Sequence, residues 1–279
     1  MMDTAKRYRG GMLLVEALLI LGGLVFLVPF YFLVVNSVKT FGEILSDAAG
    51  WPAVAQWSNY AEAWDKTSFP KAFGNSLLIT VASNLLLVLM CSMAAYRMAR
   101  KPTGYNRFLY AAFVAAMVIP FQAIMIPLVK VSSLLGLMNS TWGLIVCYLG
   151  FGAPLTVFLL HGFVKSVPVD IEEAGRVDGC SVYGIFFRII LPLMQPIAVT
   201  VIILNTLWIW NDYLMPSLIL QKPELYTIPI ETFAFFGQYT KQWDLALPAL
   251  VLGITPIVIF FLSMQKYIIE GIAQGSVKG

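Results

Sequence analysis

Residues Glu173 to Pro192 read EAGRVDGCSVYGIFFRIILP, a charged segment between two long apolar stretches. Asp170 stands three residues before Glu173, which is the spacing of a helix N-cap and a carboxylate at the third helical position. Gly179 readily adopts the left-handed conformation that closes a helix. Ser181 can cap a second helix, which Pro192 is expected to end. The segment is therefore predicted to form a bent pair of short helices.

The flanking sequence is that of a membrane protein. The chain has 279 residues, of which 59% are hydrophobic and 12% charged, and its mean hydropathy is +0.80. Such values lie outside the range of soluble globular domains. A membrane-spanning helix needs about 20 apolar residues, and the runs predict six helices at about 12–36, 74–97, 107–130, 141–164, 194–219 and 245–266. The expected fold class is an all-α integral membrane protein, with residues 1–279 in a single transmembrane domain.

The basic residues predict how these helices cross the membrane. One side of the predicted topology holds Lys6, Arg7, Arg9, Arg97, Arg100, Lys101, Arg107, Lys165, Arg176, Arg188, Lys266 and Lys278. The other side holds Lys39, Lys66, Lys71, Lys130, Lys222 and Lys241. The positive-inside rule then places both termini in the cytoplasm. The loop at about 165–193, between the fourth and fifth helices, and the tail at about 267–279 are expected on that side, and the net charge of +3 gives no argument for nucleic-acid binding.

A specific motif lies in this loop. The pattern is E-A-(small)-x₃-G-x₉-I-x-L-P, in which x is any residue. The matching residues are Glu173, Ala174, Gly175, Gly179, Ile189, Leu191 and Pro192. This order resembles the cytoplasmic coupling loop of binding-protein-dependent ABC importer permeases. Gly175 replaces the second alanine of the family, a small-for-small change that lowers helix propensity. The resemblance implies that the loop couples to an ATPase through Glu172, Glu173, Ala174, Gly175, Arg176, Asp178, Gly179, Ile189, Leu191 and Pro192.

The resemblance covers most of the chain. The stretches NSLLIT from Asn75, WNDYL from Trp210 and EGIAQGSVKG from Glu270 look like those of carbohydrate-type permeases, particularly the smaller permease of the maltose importer. It implies a six-helix type I permease of the bacterial cytoplasmic (inner) membrane. The implied partners are a second, homologous permease, two ATP-binding cassette subunits, an extracytoplasmic solute-binding protein, a sugar and membrane lipid.

The loop residues fit such a role on physical grounds. A helix bounded by a cap and a glycine can dock as a rigid unit in a groove of a partner. Glu173 would be the polar contact, Ala174 and Gly175 the close-packing face, and Pro192 the junction to the fifth helix. Composition alone also fits a helix that rests on anionic lipid headgroups through Arg176 and Arg188.

The chain offers no chemistry of its own. The phosphate-loop pattern G-x-x-x-x-G-K-[ST] does not occur in the sequence. The three cysteines, Cys91, Cys147 and Cys180, have no metal-ligand spacing. We therefore expect no catalytic residue, no metal and no cofactor here, and ATP with Mg²⁺ to be bound by the partner ATPases.

Polar and aromatic residues within the predicted spans mark a candidate substrate path. Amides that bind hydroxyl groups, combined with aromatic faces, would suit a sugar. The candidates are Asn84, Asn205, Trp208, Trp210, Asn211, Asp212 and Tyr213. Packing and interhelical hydrogen bonding are the alternative for all of them.

The leading hypothesis is thus the permease of a carbohydrate ABC importer that works by alternating access. Glycerol phosphate or another polyol is the alternative substrate. An ion-coupled secondary transporter is the alternative of a different class, although the buried carboxylate or histidine relay of such proteins is poorly represented. A membrane enzyme would need converging acidic, histidine or cysteine side chains, which the sequence does not supply.

Overall fold

The computed structural model describes residues 2–237 and 242–276, which form helices joined by turns. The helices are α1 (Met2–Asn36), α2 (Phe41–Ser46), α3 (Ser58–Lys66), α4 (Phe69–Arg100), α5 (Gly104–Ala116), α6 (Phe121–Leu134), α7 (Thr141–Ser166), α8 (Asp170–Val177), α9 (Val182–Leu193, with a π-helical turn at Phe186–Ile190), α10 (Gln195–Asn211), α11 (Leu214–Ile219), α12 (Ile228–Phe233) and α13 (Trp243–Ser276). The all-α fold class predicted from the sequence is confirmed.

The chain divides into two compact units, Met1–Ser68 with Thr232–Ile254 and Phe69–Glu231 with Thr255–Gly279. In the first unit, α1 leaves most of its described apolar side chains exposed, as expected of a helix whose surroundings are lipid or another protein. Its end is held by Asn36, whose side-chain amide donates to the carbonyl of Ala48 at 2.9 Å. The single transmembrane domain stays a prediction.

The second unit is a helix bundle built around α4 and α7. These two helices pack along each other, α10 contacts both, and α5 packs on α7. Gly152 allows the close approach, because a Cβ atom there would lie 2.7 Å from a methyl group of Leu87 on α4. Tyr148 and Leu160 of α7 are buried in the same core. The bundle therefore packs α4 against α7 and α10.

Four helices in the described part of the chain are long and apolar enough to cross a membrane, or six when each of two bent pairs counts as one span. The first bent pair is α5 and α6, whose axes differ by 110°. The sequence predicted one helix here, at about 107–130, and that prediction is wrong. Pro120 precedes α6 in an extended conformation. Because proline lacks an N–H group and disfavours helical geometry in the residue before it, the helix is interrupted here.

The predicted fifth span at about 194–219 is also interrupted. The helix ends at Asn211, and α11 begins again at Leu214 after an extended Asp212. The last predicted span, at about 245–266, agrees with the apolar stretch Trp243–Tyr267 of α13, and the helix itself continues to Ser276 through most of the predicted tail. Residues 277–279 of that tail and residues 238–241 lie outside the described residues.

Candidate functional site

The predicted coupling segment forms α8 and α9, between the fourth and fifth apolar helices of the chain. Asp170 is the first residue of α8, and Val169 occupies the N-cap position. The predicted capping role of Asp170 is therefore wrong. The turn begins one residue earlier, since the N–H groups of Glu172 and Glu173 both reach the carbonyl of Val169, at 2.8 and 3.1 Å. The three acidic residues of the first turn still lie at the positive end of the helix dipole.

The bend between the two helices matches the prediction. Gly179 has φ of +80°, and the N–H of Cys180 donates to the carbonyl of Gly175 at 2.9 Å, which closes α8. The hydroxyl of Ser181 accepts the N–H of Gly184 at 3.1 Å and caps α9. The turn at Gly179 and the cap at Ser181 are confirmed.

Glu172 lies on the inner face of α8 and is fully buried. Its carboxylate accepts hydrogen bonds from the hydroxyl of Tyr96, at 2.8 Å, and from Nε of Arg100. A second Arg100 nitrogen donates to the carbonyl of Val167 at 2.8 Å, and Arg176 approaches the carboxylate to 3.6 Å. A buried carboxylate is stable only when paired and hydrogen-bonded, and Glu172 meets this requirement through the last turns of α4.

Gly175 also faces inward. A Cβ atom at this position would lie 2.7 Å from the δ-methyl group of Ile189 and 3.5 Å from Ile185. The close-packing face that the sequence predicted for a partner is thus used, at Gly175, to pack α8 onto α9.

The outer face of the segment is exposed. Glu173 and Ala174 are exposed there, together with Arg176, Asp178 and Gly179. Val177 is 88% exposed, and Tyr183 of α9 is 72% exposed. Apolar side chains exposed beside charged ones are typical of an interaction surface.

The junction to α10 differs from the prediction. Pro192 does not end α9, which continues to Leu193, and the 70° bend lies at the buried Met194. The π-helical turn before Pro192 places the N–H of Leu191 on the carbonyl of Phe186, a wider ladder that accommodates the proline ring. Pro192 is exposed, whereas Ile189 and Leu191 are half-buried.

Two of the predicted substrate-path residues, Asn84 and Trp210, line one cavity of about 640 Å³. Its walls come from α4, α10, the middle of α13 and Leu191 of α9, and they are largely apolar. Asn84 donates to Thr206 of α10 at 3.1 Å and to the carbonyl of Thr80 at 3.0 Å. Among the described residues, the buried side-chain oxygens of Asn84 and Thr80 have no hydrogen-bond partner.

The other predicted path residues do not line this cavity. Asn205 donates to Thr156 of α7 at 3.2 Å, and the ring of Trp208 packs edge-on against Tyr148. Asn211 bonds to the carbonyl of Leu207 within its own helix, and Tyr213 is half-buried. These contacts fit the packing alternative.

Asp212 has a structural explanation of its own. One carboxylate oxygen accepts the N–H groups of Leu214 and Met215, at 3.0 and 3.4 Å, and thereby caps α11. The other accepts the hydroxyl of Tyr148 at 3.0 Å. The coupling and path roles predicted for individual residues stay predictions.

Sequence reasoning missed Tyr96, Arg100, Thr80 and Thr206. Arg100 was used only to assign topology, and 72 residues separate it from Glu172. A periodicity of hydroxyl residues on α4 could have indicated Thr80, which stands one turn before Asn84.

Residues 88–274 match the protein family described as "Binding-protein-dependent transport system inner membrane component". The chain belongs to this family. It is therefore a multi-pass inner-membrane protein and a transport subunit, and the sequence-based resemblance is confirmed. The match spans the coupling segment and the cavity-lining residues of α10 and α13, and it begins within α4 at the last cavity-lining residues of that helix.

Several members of the family are similar over nearly their whole length. A "probable starch degradation products transport system permease protein" from Thermoanaerobacterium thermosulfurigenes is 41% identical, with 91% of this chain and 93% of the relative covered. A "melibiose/raffinose/stachyose import permease protein" from Bacillus subtilis is 36% identical, with 90% and 91% covered. A "multiple sugar-binding transport system permease protein" from Streptococcus mutans is 36% identical, with 94% and 95% covered.

A solved structure shares the fold. It is a chain of a bacterial ABC transporter involved in the import of the acidic polysaccharide alginate, with a TM-score of 0.78, 20% identity, and 93% of this chain and 96% of that chain covered. The predicted type I permease fold is thereby confirmed.

Proposed function

We propose that this family member is the permease subunit of an ABC importer that carries a carbohydrate, a mono- or oligosaccharide, across the inner membrane. The observation that carries the proposal is the 41% identity, over 91% of the chain, to a permease named for starch degradation products. Two further relatives are named for sugars. A polyol or glycerol phosphate is not favoured by these names.

The exposed outer face of α8 and α9 supports docking to an ATPase. Glu173 offers a charge for a polar contact, and Val177 and Tyr183 offer apolar area. ATP and Mg²⁺ would be bound and turned over by two such partner subunits. This face would then lie in the cytoplasm with both chain termini, in agreement with the positive-inside rule.

Transport would follow alternating access. Closure of the ATPases would displace α8, and the bundle would open the path outward toward an extracytoplasmic solute-binding protein. A second, homologous permease would complete the path. The cavity beside Asn84 and Trp210 supports a passage along α4 and α10.

The substrate class can be tested through the solute-binding protein that copurifies with this permease. Calorimetric titration with malto-oligosaccharides, with raffinose and with glycerol 3-phosphate distinguishes the alternatives. We expect a saccharide to bind in the micromolar range or tighter. Binding of glycerol 3-phosphate alone would contradict the carbohydrate assignment.

A further inference from the structure

The buried cluster of Glu172, Tyr96 and Arg100 joins the coupling segment to α4. The helix that follows the segment in the chain is α10. Arg100 donates from one guanidinium to Glu172 in α8 and to the carbonyl of Val167, just after α7. Both ends of the short connection into α8 are thus held by one side chain of α4. The Arg100 side chain is only 14% exposed and that of Glu172 is 1% exposed, so solvent screens the pair weakly.

The polar and charged side-chain partners of Glu172 in the described part of the chain come from α4 and from α8 itself. Arg100 and Tyr96 belong to α4, and Arg176 belongs to α8 and is more than half exposed. The Tyr96 ring also packs against Phe186 of α9, with 5.4 Å between ring centroids. The cluster therefore fixes α8 and α9 to the same turn of α4.

α4 provides a direct mechanical link from this cluster to the cavity. It is one unbroken helix from Phe69 to Arg100, with no proline beyond Pro70. Asn84 lies 16 residues before Arg100, a distance of about 24 Å along a helix at 1.5 Å per residue. About half of the cavity lining, from Phe73 to Leu89, belongs to α4.

The chain connection to the cavity is less direct. From α8 it passes the turn at Gly179 and the π-helical turn of α9 before the single residue Leu191 lines the cavity, and then the 70° bend at Met194 before it reaches α10. Each of these breaks can absorb movement that a straight helix transmits.

We propose that Glu172 is a positioning residue that ties α8 to α4 through Arg100 and Tyr96, so that displacement of α8 by the ATPase moves the cavity wall through α4. This inference rests on the proposed function, and it assigns transmission to α4 rather than to the Pro192 junction. Glu173, the neighbouring residue, faces outward and serves docking.

The test measures substrate imported per ATP hydrolysed by the complete complex in proteoliposomes. Glu172→Gln keeps the shape of the side chain and removes its charge. We expect import per ATP to fall about 2- to 30-fold, the range for residues that carry coupling between sites. Asp170→Asn, an exposed acid on the same helix, is the matched control and should leave the ratio unchanged.

The partner of Glu172 is tested in the same assay. In Glu172→Gln/Arg100→Gln, we expect no further fall beyond the larger single effect, because both residues act through one contact. Additive losses would contradict a shared contact. A Glu172→Gln complex with the wild-type ratio would overturn the inference, even if total ATP hydrolysis fell.

Glu172→Gln could fail to assemble into the complex, so a milder variant that loses only a hydroxyl group is tested as well. Tyr96→Phe keeps the ring against Phe186 and removes the hydrogen bond to Glu172. A lowered ratio supports the inference, and an unchanged ratio overturns it. Failure of the wild-type complex to import any saccharide with ATP would instead refute the proposed function.

Discussion

At the scale of single residues, two adjacent carboxylates have opposite surroundings. Glu172 is fully buried against α4, whereas Glu173 is exposed on the outer face of α8. Removing one partner of a buried ion pair costs about 3 to 5 kcal/mol, whereas an exposed carboxylate contributes little to folding. The start of α8 therefore combines a residue that holds the helix in place with a residue that a partner can contact.

Gly175 tests the packing of α8 on α9. Gly175→Ala should change stability little, because the flexible δ-methyl group of Ile189 can move and alanine gains about 1 kcal/mol of helix propensity. Gly175→Leu should destabilise the complex by about 1 to 3 kcal/mol through overpacking. The measurement is the thermal midpoint of the purified complex.

Gly162→Leu is the control for this pair, since a Cβ atom at Gly162 of α7 would meet no atom within 4 Å. We expect its midpoint to stay near the wild-type value. If the Gly175→Leu complex has the same thermal midpoint as the wild type, α8 does not pack on α9 in this way.

Substitutions at Asp212 distinguish a structural role of this residue from a role in substrate binding. Asp212→Ala removes the acceptor of the Leu214 and Met215 N–H groups and should cost about 1 to 3 kcal/mol, whereas Asp212→Asn keeps an oxygen for this cap. The thermal midpoint should therefore fall in the alanine variant and change less in the asparagine variant. An unchanged midpoint with a raised KM for uptake in both variants would indicate substrate contact instead.

At the scale of elements, proline shows what a single sequence can and cannot reveal. Pro154 lies within α7, which continues unbroken to Ser166, whereas Pro120 separates α5 from α6 by a 110° bend. Both stand in long apolar runs, so local sequence does not distinguish them. The buried Pro154 is held by the packing of α7 on α4, a tertiary contact that lets a helix tolerate proline.

The coupling segment was more predictable because its signals are local. The turn at Gly179 and the cap at Ser181 depend on residues within one helical turn. The pairing of Glu172 with Arg100 depends on how α7 returns the chain to the end of α4, which spacing along the sequence does not show.

The outer face of α8 is tested by a charge reversal. Glu173→Lys should weaken productive docking of the ATPase by about 2 kcal/mol, roughly 30-fold, because it places an opposite charge in the proposed contact. The measurement is the concentration of added ATPase that restores half-maximal uptake. Glu62→Lys, the same change at an exposed position of α3, is the control.

We expect Glu62→Lys to need the wild-type ATPase concentration. Equal requirements for Glu173→Lys and wild type would contradict docking at this face. A fall in the amount of inserted permease would point to folding, and quantification of the membrane fraction detects it.

At the scale of the whole molecule, the family and the fold were within reach of the sequence, since the motif from Glu173 to Pro192 and the apolar runs carry both. The cavity was only partly predictable. Asn84 and Trp210 line it together with Thr80 and Thr206. Asp212 instead caps α11, and Asn205 bonds to α7. Polar residues within membrane helices serve both purposes, and only the packing of α4, α7 and α10 separates them.

Uptake of a labelled oligosaccharide by proteoliposomes tests the central claim most directly. The vesicles hold this permease with its partner permease and ATPases, and the binding protein is added outside. We predict that the sugar accumulates only when ATP is hydrolysed and that a proton or sodium gradient without ATP gives none. A second set of vesicles holds this chain as the only transport protein. Accumulation of the sugar in these vesicles under an ion gradient would contradict the claim.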